Sequence, residues 1–389
     1  MQSMTYILII DHIATGGAER ILIDYYHYLE GKGHKPYVFV LSGHKGQSRW
    51  TDGLNVVYGA DSDEDNLIRK SIQQIKLFFK LKRLVKKVSP DVMFSFLEKS
   101  NLLTSLIKTK AVKVMTVHNV LSIQYTKIRS DKVRTILYGM IRRMYNGCPN
   151  VVAVSKQVKD DLTTSFGVRE QNVHVINNYV DRVGIRMKSE EAVDDYVFSD
   201  DVKYIMNVGR FSDQKAQWKL LKAFSLYAKN SKENVHLVLM GQGEYVDNLK
   251  GLAENLGIED KTTFLPFSIN PYKYMRHASL FVLSSIFEGF PIVLAEVSSL
   301  RIPFVGTRKA IPEEMFDNRD VWEDCIFDST TLKADFTNEI HEDEERLAEL
   351  LGKGIEACDF RQRILTHTSG WEANNDKLTQ FEMYDKFAN

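Results

Sequence analysis

Unbroken apolar runs recur along this chain with amphipathic helical stretches between them, and that rhythm restricts the fold more than any other feature. The runs at residues 6–10, 37–41, 92–96, 112–117 and 151–154 lack the alternation of a strand with one wet face. They read as strands of a parallel sheet covered on both sides. Residues 18–29, 68–87 and 131–145 supply helices to cover it. The rhythm breaks over residues 181–201, DRVGIRMKSEEAVDDYVFSDD, a polar, acidic stretch of poor periodicity that reads as a connection between domains. It resumes at residues 204–208, 235–240, 263–265, 280–283 and 303–305. The expected fold is α/β: two Rossmann-like domains in tandem, residues 1–181 and 202–370. Open α/β sheets bind ligands beyond the carboxyl ends of their strands, so an interdomain cleft is expected to hold the substrate.

A chain of 389 residues suits two domains, at the roughly 150 residues per domain common among folded proteins. With 44% hydrophobic and 26% charged residues it has a globular composition, not a disordered or low-complexity one. Its three cysteines, Cys148, Cys325 and Cys358, are widely spaced and form no zinc pattern. That suits a reducing compartment and makes the cytoplasm the expected address. The short apolar run at residues 6–10 has no basic lead and no cleavage site behind it, so no secretory signal is read. Glu288 interrupts the most apolar region, residues 280–297, and no stretch reaches the roughly 20 apolar residues that cross a bilayer. Net charge is zero, yet residues 1–180 hold 26 Lys and Arg against 15 Asp and Glu, and the remainder holds 25 against 36. A first half at +11 without a nucleic-acid motif points to anionic phosphates, of a substrate or of a membrane surface. Chance partition of surface charge is the alternative.

Chemistry-bearing residues fall at the ends of the expected strands. Gly16 and Gly17, in TGGAER, stand between the first strand and a helix starting near Ala18, where backbone amides can approach a phosphate or a sugar. A tight turn alone would also use them. In NVGRFSDQK, Arg210 and Lys215 follow the first strand of the second domain. Two cations there suit a diphosphate, Arg through bidentate bonds and Lys as a point charge, with solvated loop charges as the alternative. The most specific segment is EGFPIVLAE, residues 288–296. Pro291 suits the first position of a helix, and the amides of Ile292 and Val293 would then face an anion at a positive helix terminus. Glu296, one turn past Ile292, would point back toward that anion. A carboxylate in so apolar a stretch needs partners, such as the two hydroxyls of a ribose. His118 ends the strand-like VMTVHN on the side where the cleft is expected. Asp61 and Asp63 make an Asp-x-Asp pattern, but no second ligand cluster accompanies them and no metal site is read.

Taken together, GGAER near the start, TVHN around His118, VVAVSK at 151–156, HVINNYVD at 174–181, GRFSDQK at 209–215, MGQGE at 240–244, FLPFSINPYKYM at 264–275 and LSSIFEGFPIVLAE at 283–296 form an ordered series. In order and spacing it resembles the retaining family 4 glycosyltransferases of the GT-B fold, through nearly the whole chain. The resemblance implies a retaining hexosyltransferase in which Arg210 and Lys215 bind the donor diphosphate, Glu288 contacts the transferred sugar and Glu296 holds the ribose. It also implies that Gly17 lies near the phosphates, His118 near the sugar and acceptor, and the backbone near Phe267 at the base, with Gly289 and Phe290 in the donor-binding turn. A C-terminal helix, expected at about residues 371–389 with apolar positions Leu378, Phe381, Tyr384 and Phe387, would cross back to the first domain. Family members commonly carry Gly where this chain has Ala216 and Arg301, and a Gly-rich loop where it has Arg308, Lys309 and Ala310.

The function expected is transfer of a hexose or N-acetylhexosamine from a UDP-sugar to a hydroxyl of a glycan acceptor, with retention at the anomeric carbon. The acceptor would be lipid-linked, in surface polysaccharide or glycoconjugate synthesis. Glu288, His118, Arg210 and Lys215 form the expected catalytic set. Their charge and the helix terminus would replace a metal, so no cofactor is expected beside the co-substrate. Two other classes stay open: a nucleotide-sugar epimerase or hydrolase, which needs no acceptor, and a non-catalytic nucleotide-sugar-binding subunit. No nucleic-acid partner is expected. The helix near residues 69–88 places Arg69, Lys76, Lys80, Arg83 and Lys87 on one stripe, with Leu77, Leu81, Leu84 and Val88 roughly opposite and Ile72, Ile75 and Phe79 flanking. Such a helix suits an anionic membrane surface and a peripheral place on the inner face of the cell membrane; a solvated helix would look the same.

Overall fold

The computed structural model describes residues 3–13, 16–44, 51–61, 67–374 and 376–388. The chain divides into two compact units, Met1–Asn178 with Leu378–Asn389, and Tyr179–Lys377.

The first unit carries strands β1 (Thr5–Ile10), β2 (Lys35–Ser42), β3 (Val56–Ala60), β4 (Val92–Phe96), β5 (Val112–Val117), β6 (Val151–Ala153) and β7 (Val173–Val175). They form one parallel sheet in the order β3-β2-β1-β4-β5-β6-β7. Its central strands are buried along their length, as a sheet covered on both faces requires. The helices are α1 (Gly17–Gly31), α2 (Leu67–Val88), α3 (Glu98–Leu106), α4 (Leu121–Gln124), α5 (Asp131–Asn146) and α6 (Lys156–Asp160). After β1 the chain moves toward one edge of the sheet, and after β3 and β4 toward the other. Right-handed crossovers therefore put α1 on one face and α2, α3 and α5 on the opposite one. Leu77, Leu81 and Leu84 of α2 and Leu103 of α3 accordingly share one core cluster with Ile7, Phe39 and Met93 of the sheet. The order reverses between β1 and β4, which makes the carboxyl ends of those strands the natural ligand position.

The second unit repeats the plan with β8 (Lys203–Val208), β9 (Val235–Met240), β10 (Thr262–Leu265), β11 (Ala278–Leu283), β12 (Phe304–Thr307) and β13 (Ile326–Phe327), in the order β10-β9-β8-β11-β12-β13. Here the reversal lies between β8 and β11. Its helices are α7 (Arg182–Ser189), α8 (Gln217–Asn230), α9 (Val246–Leu256), α10 (Tyr272–Met275), α11 (Ile292–Ser299), α12 (Arg319–Asp324), α13 (Glu342–Glu356) and α14 (Cys358–Asn374). On α8 the fully buried Lys219 and Lys222 meet Asp343 at 2.6 Å and Asp335 at 2.5 Å, the pairing that a charge removed from water requires. Among the described residues no helix is long and apolar enough to cross a membrane.

Two expectations change. Residues 181–201 are not a bare connection: they carry α7, whose first turn is capped by the Asp181 carboxylate accepting from the Gly184 N–H at 3.0 Å. Only Ile185 and Ser189 of this helix are buried, too few to show as a period. The terminal segment is not one helix either. Residues 371–374 close α14 in the second unit, where Trp371 stacks on Phe290, and a separate α15 (Lys377–Asp385) supplies the return to the first. Phe381 and Tyr384 of α15 pack on Tyr25 of α1, and Tyr28 Oη donates to Asp385 at 2.8 Å.

Candidate active site

In the second unit, residues from three strand ends meet where the strand order reverses. The loop after β8 is pinned from both sides: Gly209 N–H donates to the Met240 carbonyl and Phe211 N–H to that of Gln242. The backbones come so close that a Cβ at Gly241 would lie 2.0 Å from the Gly209 oxygen, which is why the MGQGE turn needs its glycines. Arg210 stands exposed on this loop. Lys215, five residues on, extends its Nζ to within 2.6 Å of Glu288 Oε1, beyond β11. Gln214 completes the junction: its side-chain amide donates to the Phe287 carbonyl at 3.0 Å and lies 3.5 Å from Glu288 Oε2. Glu288 is 9% exposed, and its own N–H donates to the Lys309 carbonyl at 3.0 Å. An acid so far removed from water needs such partners.

The turn into α11 places the other expected donor residues. Pro291 is the cap, one position before the helix, and Ile292 and Val293 open its first turn half-buried. Their N–H groups precede any intrahelical acceptor, so the terminus favours an anion. Gly289 is buried in the same turn, and the Phe290 ring is turned into the core against Trp371. Glu296 accepts a hydrogen bond from Tyr272 Oη at 2.7 Å. Phe267 lies half-exposed in the loop after β10. Tyr272 and Gln214 stand inside the motifs FLPFSINPYKYM and GRFSDQK, but nothing in their spacing marks them as functional. Arg308 is engaged within the protein: it binds Glu323 through two nitrogens, reaches Asp328 at 2.9 Å and lies over the Trp322 ring.

In the first unit Asp11, Glu98 and His118 stand just past the ends of β1, β4 and β5. Ile10 pairs with Phe96 and Phe96 with Thr116, so the loops carrying His12, Glu98 and His118 leave the same edge of the sheet. His118 Nε2 lies 2.8 Å from Thr116 Oγ1, and the ring stacks on Phe96. Burial lowers its pKa to about 4, so at neutral pH it is an uncharged imidazole. Glu98 opens α3 after Leu97, which holds φ +73°. One of its oxygens is buried without a hydrogen-bond partner, and burial raises its pKa to about 7, with Asp11 adding to the shift. Asp11 accepts from both the N–H and the hydroxyl of Ser100. Gly16 caps α1 ahead of Gly17, where a Cβ would lie 2.3 Å from Glu19 Oε2. The chain's own carboxylate, with His12 at 3.4 Å, therefore faces the amino end of α1 that was expected to meet phosphate. Asp61 is exposed beyond β3 and Asp63 lies outside the described residues.

Two family models match the chain, one described as glycosyltransferase family 4 over residues 15–183 and one as glycosyl transferases group 1 over residues 188–350. A Campylobacter jejuni N-acetylgalactosamine-N,N'-diacetylbacillosaminyl-diphospho-undecaprenol 4-alpha-N-acetylgalactosaminyltransferase is 29% identical over 256 residues, 65% of this chain and 67% of the relative. A second C. jejuni protein, an alpha-1,4-N-acetyl-D-galactosaminyltransferase acting on a GalNAc-bearing diNAcBac-PP-undecaprenol, is 26% identical over 296 residues, 74% of this chain and 75% of the relative. In fold, the chain is similar to Anabaena HepE solved with UDP, with a TM-score of 0.74 at 16% identity, covering 98% of this chain and 99% of that one. A glycosyltransferase from Rickettsia africae superposes at the same TM-score with 18% identity, covering 100% and 98%.

Proposed function

Because the chain belongs to the family 4 glycosyltransferases and has their two parallel-sheet GT-B units, we propose that it moves a hexose or N-acetylhexosamine from a UDP-sugar to a hydroxyl of a lipid-linked glycan, with retention. The observation that carries this reading is the meeting of Lys215 with Glu288 beyond β8 and β11, with Arg210 exposed on the loop between β8 and Lys215. UDP leaves as an anion, and Arg210, Lys215 and the α11 terminus stabilise the charge as it develops. Glu288 orients the sugar and Glu296 holds the ribose, with Tyr272 fixing its carboxylate. The bond from the anomeric carbon to the β-phosphate oxygen breaks as the acceptor oxygen bonds from the same face, and the acceptor proton passes to the departing phosphate. His118 takes part as a neutral hydrogen-bonding group, and Gly16 and Gly17 as backbone donors once the Glu19 carboxylate gives way.

The names of the two C. jejuni relatives, both N-acetylgalactosaminyltransferases acting on undecaprenol-linked glycans, favour an N-acetylhexosamine and a polyprenol-linked acceptor. Such work would be done peripherally on the inner face of the membrane, without a metal. A thermal-shift panel of UDP-, GDP- and ADP-sugars identifies the donor by linkage. Release of UDP that depends on a lipid-linked acceptor, survives EDTA and gives an anomerically retained product is the expected result. Donor turnover at full rate without acceptor would make the protein a hydrolase or epimerase, and tight binding without turnover would make it a binding subunit.

A further inference from the structure

Among the described residues of the first unit, nine large apolar side chains are exposed, and eight of them stand on three helices of one sheet face. On α2 they are Ile72, Ile75 and Phe79, and on α5 Val133, Ile136 and Met140. Both sets follow the spacing i, i+3, i+7, which draws a single stripe along a helix. On α2 that stripe points away from the buried Leu77, Leu81 and Leu84. Between these helices lies α3, which shares its core with α2 and receives α5 through the hydrogen bond from Asn101 Nδ2 to Tyr145 Oη. It adds the exposed Leu102 and Leu106. Single exposed apolar residues are ordinary, but aligned stripes on neighbouring helices are not.

Charge narrows the occupant. Helix α2 holds eight Lys and Arg and no acid. Beside the stripe of α5 stand the exposed Lys132 and Arg143, while the one acid of that helix, Asp131, is paired with Arg134. A second copy of this chain would set the same cations against themselves. A bilayer rich in anionic lipid accepts both features, the apolar stripes among the acyl chains and the cations at the headgroups. We propose that α2, α3 and α5 form one docking face for an anionic membrane. The proposal rests on the reading of a lipid-linked acceptor and names the surface that brings the enzyme to it. The sequence pointed to α2 alone; the side chain of Arg69 lies outside the described residues.

The test is co-sedimentation of the full chain with vesicles of phosphatidylcholine, alone or with one third phosphatidylglycerol, at low and high salt. Wild type should pellet with the anionic vesicles only, and less so as salt rises. The exposed double variants Ile75→Asn with Phe79→Asn and Ile136→Asn with Met140→Asn, and the triple variant Lys76→Glu, Lys80→Glu, Arg83→Glu, should each weaken binding by about tenfold or more. Equal or absent pelleting with both lipids overturns the proposal. So does wild-type binding by the α5 variant, or a wild-type dimer in sedimentation velocity that the variants dissolve. UDP release with a short-chain, detergent-free soluble analogue of the lipid-linked acceptor, run in parallel, should be unchanged in all variants. Failure of that reaction in wild type would sink the transferase reading and leave the vesicle result standing.

Discussion

Lys215 and Glu288, separated by 73 positions in the chain, meet at 2.6 Å where β8 and β11 end. The cation expected to hold a diphosphate is thus bound to the acid expected to hold the sugar, and a donor must share or displace that contact. Glu288→Gln should therefore tighten binding of UDP alone, by freeing Lys215, while lowering turnover by about 100-fold or more. Lys215→Met should weaken both. Calorimetry with UDP and steady-state kinetics separate the two, and weaker UDP binding by Glu288→Gln would refute the competition.

Tyr272 and Glu296 give a second, finer expectation. If the Glu296 carboxylate receives the ribose hydroxyls, Glu296→Ala should lose the preference for UDP over 2'-deoxy-UDP. Tyr272→Phe, which removes the donor at 2.7 Å, should weaken UDP by about 1 kcal/mol and keep the preference. Competition binding with the two nucleotides reads this directly.

Ala216 and Arg301 hold φ +48° and +60°, at the two positions where resembling enzymes commonly have glycine. Left-handed backbone costs a side chain roughly 1 kcal/mol. Arg301 is exposed, so Arg301→Gly should stabilise the protein by up to about 1 kcal/mol in denaturant unfolding. Ala216→Gly should gain less, because its methyl group is buried and would be lost from the core.

Glu98 predicts a pH effect. Its folded pKa of about 7 lies above the ordinary 4.5, so the native state holds the proton more tightly than the unfolded chain. Stability from this group is complete below about pH 4.5 and is lost as pH rises through about 7, by roughly 3 kcal/mol. Glu98→Gln, which cannot ionise, should melt higher than wild type at pH 8 and alike at pH 4.5. Equal melting temperatures at both pH values would show that the acid is not held neutral.

Strands were legible where the apolar run is continuous: residues 92–96, 112–117 and 235–240 coincide with β4, β5 and β9. β7 and β13, of three and two residues, are too short to show a pattern, and β3, VVYGA, is only half-buried. The residue types at the strand ends were equally legible, because loops after parallel strands must carry the chemistry. Their pairings were not. Whether Glu296 meets a tyrosine, or Arg308 is consumed by Glu323 and Asp328, depends on side-chain paths that spacing does not record. Lys219 and Lys222 are the clearest case. Amphipathic logic sends lysines outward, yet α13 covers that side of α8 and offers Asp343 in return.

The return of α15 to the first unit has a consequence for biosynthesis. Tyr25, Tyr28 and Phe94 belong to a domain that begins at the amino terminus, but the rings of Phe381 and Tyr384 that cover them leave the ribosome only after the entire second unit. During translation the first domain must wait with that aromatic surface bare, a target for chaperones, and it can close only once its neighbour has been made. A nick between α14 and α15 would leave those rings held by packing alone.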